Sequence, residues 1–149
     1  GFLQPALDAL GEECSAQIDS HGGIATRNPE ELLEIFKLLT WAQTALTDSE
    51  QIPTAELERA LQRIAPSLRT LRHANGNLVR FQGGDQGMEG MLDTALAACG
   101  IKSRNSDGLT MGRAGLYNGR TREIIAVAPS TSENASCHTH SLNIELELT

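Results

Sequence analysis

Between residues 29 and 47 the chain places Leu32, Leu33, Ile35, Phe36, Leu38, Leu39, Trp41, Ala42, Ala45 and Leu46 in a stretch whose start is marked as helical. Asn28 is a capping residue, and Pro29 suits the first helical position because its missing N–H would be unpaired there anyway. Glu31, three residues past the cap, completes a capping box and complements the helix dipole. Wound as a helix, these apolar side chains cover well over half the circumference. Such a helix expects neighbours on more than one side.

Two further helices are on offer. Leu3, Leu7, Leu10, Cys14 and Ile18 predict an amphipathic helix over residues 3 to 18, ended by Asp19 to Thr26 with its Gly22-Gly23 pair. A third helix starts near Pro53, where Leu57, Leu61, Ile64, Leu68 and Leu71 form a narrow stripe. Pro66 falls inside that stripe and should kink or split it, because the ring removes a backbone hydrogen bond and crowds the preceding turn.

After Asn75-Gly76 the period changes. Leu78 to Phe81 reads as a short strand, 83 to 90 as a glycine-rich loop, and Leu92 to Cys99 as a short helix stopped by Gly100. Residues 113 to 118 and 121 to 128 read as a hairpin turned at Asn118-Gly119. Beyond a polar loop, His138, His140, Leu142, Ile144, Leu146 and Leu148 alternate with polar residues, as one face of a strand. The pattern predicts a helical part over 1–76 and a strand-rich part over 77–149 that includes a short helix at 91–99. Neither part covers its own apolar surface.

Charge narrows the partners. Twelve Lys and Arg against 19 Asp and Glu give a net charge of −7 in 149 residues, which argues against coating nucleic acid or binding an anionic membrane. No run reaches the roughly 18 to 20 apolar residues of a membrane span, so no membrane insertion is expected. The segment carries no export signal, leaving a periplasmic or a cytoplasmic location in a bacterium open. Aromatic residues make up 3% of the chain, too few for a wide stacking platform. Cys14, Cys99 and Cys137 have no C-x-x-C spacing and read as reduced thiols.

His138-x-His140 is the one constellation with metal-ligand character. On a strand, residues two apart point to the same side, so both imidazoles could meet one divalent ion, zinc or calcium, or one anionic substrate. Two ligands are too few for zinc, so a third must come from His21, His73, an acidic residue or another part of the parent chain. The competing reading is a hydrogen-bonded, partly buried histidine pair. The glycine-rich loop lacks a Gly-Lys-Ser/Thr ending and sets Asp85 and Glu89 where an anion needs donors, so it reads as a connection. Arg113, Arg120 and Arg122 read as solvated hairpin ends, Asn134-Ala135-Ser136 as a turn, and Tyr117 as a packing residue. No activated nucleophile is apparent.

Three stretches resemble the heparinase II/III-like family. Gln17 to Leu33 is similar to its "Q-I-x-x-D-G-G-H-x-x-R-N-P-x-x-L-L" helix junction, and Ile64 to Gly83 to its "M-x-P-x-L-R-x-x-R-H-x-D-G-x-L-x-x-F-x-G" passage from the last toroid helix into the first strand. His140 to Leu148 resembles its "H-x-x-x-L-x-F-E-L" strand. The resemblance implies an α+β fold: the last helices of an (α/α) toroid, followed by the first strands of an antiparallel β-sandwich. It implies a segment of a polysaccharide lyase that eliminates across a uronic acid, taking an acidic polysaccharide or oligosaccharide and completed by the rest of the parent chain. His140 would be catalytic, with His138 beside it binding substrate, and both could hold a divalent metal in the β-domain. Departures favour a second outcome, a catalytically silent carbohydrate-binding or structural module. The family's D-G-G-H reads His21-Gly22-Gly23-Ile24 here, and Glu31 stands where active lyases have a tyrosine.

Overall fold

The computed structural model describes residues 1–72, 76–80, 84–85 and 87–102, together with the backbone of Leu116–Asn118, Ile124–Val127 and Asn143–Leu146. Four helices make up its packed body: α1 (Leu3–Gln17), α2 (Pro29–Asp48), α3 (Ala55–Thr70) and α4 (Met91–Cys99).

Helix α3 is the axis of the body. Its narrow stripe is spent entirely inside: Leu57, Leu61, Ile64 and Leu68 are 0% exposed and Leu71 is 1% exposed. Burying one such side chain contributes about 1.5–3 kcal/mol. Helices α1 and α2 pack against α3, and α4 packs against α2 and α3. Pro66 does not split α3, which runs through it from Ala55 to Thr70. Apolar anchors on both sides, Leu61 and Ile64 before it and Leu68 and Leu71 after, outweigh the roughly 3 kcal/mol that an interior proline costs. The buried hydroxyls of this helix are satisfied: Ser67 donates to the His21 carbonyl at 2.5 Å and Thr70 to the Pro66 carbonyl at 3.0 Å.

The junction between α1 and α2 is built by local side-chain chemistry. Asp19 Oδ1 accepts from the His21 and Gly23 N–H groups at 2.9 and 2.8 Å, folding the chain back on itself. Gly22 has φ +78° and lies flat against α3, where a Cβ would overlap the Arg63 carbonyl. Only glycine meets both conditions. Asn28 Oδ1 then accepts from the Glu30 and Glu31 N–H groups at 2.9 and 3.3 Å, and the Glu31 carboxylate accepts the Thr26 hydroxyl at 2.6 Å.

Beyond α3, residues 78–80 of the expected strand make one antiparallel bridge, Leu78 to Arg72, and Phe81 lies outside the described residues. Leu78 and Val79 serve the helical core instead, at 1% and 0% exposure. Helix α4 is seated by Leu92, Ala95 and Leu96, and left-handed Gly90 and Gly100 mark its two ends. Arg72 grips Asp93 with a two-toothed fork at 2.8 and 3.0 Å.

These observations correct the expected α+β architecture. Residues 1–102 form an all-helical body with no strand among the described residues beyond that bridge, so closing helices of an (α/α) toroid leading into an antiparallel β-sandwich do not describe it. Further along, the described residues form three short strands, β1 (Leu116–Asn118), β2 (Ile124–Val127) and β3 (Asn143–Leu146), antiparallel in the order β1-β2-β3. A two-residue Asn118-Gly119 turn would set Tyr117 opposite Arg120, whereas Tyr117 is paired with Ala126. That register excludes the expected tight turn.

Candidate interaction surface

Helix α2 has more apolar surface than the described residues around it cover. Leu32, Leu33, Phe36 and Leu39 go into the core, at 7% exposure or less. On the opposite side Leu38 is 63% and Trp41 72% exposed, and Ala45 is exposed with them. At 3.6 residues per turn these three lie within about 60° of one another, forming a ridge along the helix. Half-buried Ile35 and Ala42 continue it toward the core. Isolated exposed apolar residues are ordinary, but a leucine and a tryptophan on one ridge are a feature of contact surfaces.

The ridge is edged by carboxylates. On the helical wheel Glu31 and Glu34 prolong it toward the start of α2 and Asp48 toward the end, and all three are exposed. Lys37 is the one cation of α2 and is paired with Glu34 at 2.8 Å, its ammonium also lying 3.3 Å from the Met91 sulfur on α4. The two ends of α2 differ electrostatically. Glu30 and Glu31 complement the positive N-terminus, while the negative C-terminus has Asp48 in its last turn and no basic residue there.

The other candidates from the sequence are arranged differently. His138 and His140 lie outside the described residues, as do His73, Cys137, Arg113, Arg120, Arg122 and Asn134. His21 is exposed on the α1–α2 junction. Among the described residues no three His, Cys, Asp or Glu side chains are grouped to hold a metal ion. In the glycine-rich loop, the Asp85 N–H donates to the Glu30 carboxylate at 2.9 Å and Gly84 is pressed against the Asn28 side chain. The loop's contacts are therefore with the start of α2, as a connection. Burial pushes the Cys14 thiol up, helped by Glu13 and Glu56. It does the same to Cys99, against the smaller opposing effects of the Ile101 backbone and Arg69. Neither is an activated nucleophile. An open groove of about 690 Å³ between α1 and the start of α3 is lined by Asp8, Glu12 and Glu56, which would repel an anion.

The surplus apolar arc of residues 29 to 47 announced this ridge, but the sequence did not say which side would stay uncovered. Leu38, Trp41 and Ala45 are the apolar positions farthest on the helical wheel from Leu32, Phe36 and Leu39, the side that packing buries.

The described body is thus a small helical module with one apolar ridge facing outward. Over 97 residues, 64% of its length, the chain is 33% identical to FtsZ-localized protein C of Caulobacter vibrioides (strain NA1000 / CB15N). The match spans 17% of that relative's length. No protein-family profile matches the chain, and no solved structure does. This corrects the heparinase II/III-like resemblance, and with it the polysaccharide lyase and the silent carbohydrate-binding module that it implied. Two of the stretches that carried the resemblance fall in the helical body. Asp19, Gly22-Gly23 and Asn28-Pro29 end one helix and start the next, a task that any such junction meets with the same residue types.

Proposed function

We propose that this chain is a docking module of a bacterial protein that localises with FtsZ, and that the α2 ridge is its contact surface. The observation that carries the reading is the 33% identity to FtsZ-localized protein C over 97 residues. The uncovered ridge of Leu38, Trp41 and Ala45 supports it, because covering a leucine and a tryptophan supplies the kind of anchor on which protein contacts depend. A fluorescent fusion of the full-length protein should follow FtsZ in the cell. The double variant Leu38→Asp with Trp41→Ser should leave the fusion folded and dispersed. A wild-type fusion spread evenly through cells that contain FtsZ structures would end this reading.

A further inference from the structure

We infer that the α2 ridge receives a basic amphipathic helix of a partner protein, its apolar side on Trp41, Ala45 and Leu38 and its lysines or arginines over Glu34 and Asp48. The inference deepens the docking reading of this ridge but is independent of which protein supplies the helix.

Charge selects this occupant. The two ends of the ridge carry three exposed carboxylates, Glu31, Glu34 and Asp48, against one cation on α2, Lys37, which pairs with Glu34, and the chain as a whole carries a net charge of −7. A second copy would bring Glu34 and Asp48 against their own kind, and an anionic lipid surface would meet the same carboxylates. A cationic partner satisfies both the carboxylates and the negative end of α2, whose last turn has Asp48 and no basic residue. Shape agrees, since a ridge repeating at three and four residues is matched by another helix bearing the same spacing.

Trp41 is the only tryptophan in the chain and is 72% exposed, so its emission reports whatever covers it. The test is a titration of the 149-residue chain with two synthetic helical peptides about four turns long, one built of leucine and lysine, the other of leucine and glutamate. The lysine peptide should move Trp41 emission to shorter wavelength and the glutamate peptide should not. Leu38→Ser should weaken binding of the lysine peptide at least about tenfold. Reversing Glu34 and Asp48 to lysine should weaken it about fivefold to tenfold. Reversing Glu12, exposed on α1, should leave it unchanged, and circular dichroism confirms that each variant is helical.

Equal binding of both peptides, or of neither, overturns the inference. So does equal weakening by the Glu12 reversal, which would mean attraction to net charge alone. A free chain that sediments as a dimer and becomes monomeric with Leu38→Ser would assign the ridge to a second copy. A larger emission shift with anionic phospholipid vesicles than with the peptide would assign it to a membrane. If the peptide result stands while the cellular fusion ignores FtsZ, only the FtsZ assignment fails.

Discussion

Helices α2 and α3 are neighbours built on opposite economies of apolar surface. In α3 the apolar residues form one stripe, and the stripe is fully enclosed. In α2 they spread round most of the helix, and after the core has taken Leu32, Leu33, Phe36 and Leu39 the ridge of Leu38, Trp41 and Ala45 is left over. A narrow stripe tells how a chain folds. A surplus is apolar surface that the described residues leave open, and such a remainder is where a second molecule can gain by contact.

The contrast predicts that the same kind of truncation has opposite consequences on the two helices. Leu61→Ala, at 0% exposure on α3, should destabilise the fold by about 2–5 kcal/mol in urea titration followed by circular dichroism. A loss under about 1 kcal/mol would mean that α3 is not the axis of the core. Gly22→Ala comes next, at about 2 kcal/mol or more, because it forces a left-handed side chain into the Arg63 carbonyl. Both are failures of packing around α3.

On α2, Asn28→Ala removes the acceptor of two N–H groups and should cost about 0.5–2 kcal/mol, with Asn28→Asp restoring most of it. A smaller effect belongs to Cys14, whose thiol burial holds above its usual pKa. The thiol then ionises more readily in the unfolded chain, so its contribution to stability is full below the unfolded pKa. That contribution fades as pH rises toward the folded value. The stability gap between wild type and Cys14→Ala should therefore narrow on the alkaline side; a gap that widens there contradicts the assignment. The smallest effect is expected on the ridge itself. Leu38→Ser and Trp41→Ser should change stability by no more than about 0.5 kcal/mol while weakening capture of the lysine peptide, and a large loss of stability would show that the ridge is part of the core after all.

Much of this body is legible without coordinates. The stripes at residues 3 to 18, 53 to 71 and 92 to 99 correspond to α1, α3 and α4, and the Asn28-Pro29 start opens α2 at the expected residue. Helical spacing and caps are local, so the sequence exposes them directly. What Leu78 and Val79 do is not local. Their apolar run fits a strand, yet both are buried in the same hydrophobic cluster as the helices, and no pattern of four residues contains that information. Likewise the surplus on α2 was visible as a quantity, but its direction depended on where α1, α3 and α4 packed. The family resemblance misled for a related reason. Motifs made of caps and turn glycines report the shape of a junction, and that shape is shared far more widely than ancestry.

The Arg72–Asp93 fork has a consequence for how the protein can be altered. It joins residues 21 positions apart, and with the Asp85 contact to Glu30 it fixes both α4 and the approach to it, while Gly87 and Gly90 have open space where a side chain would sit. A loop pinned on either side can lengthen at little energetic expense, since closure entropy grows only about 0.6 kcal/mol for each doubling of length. The turn at Met88, itself 72% exposed, is thus a natural insertion point: a small folded tag placed there would leave the helical body and the α2 ridge in register.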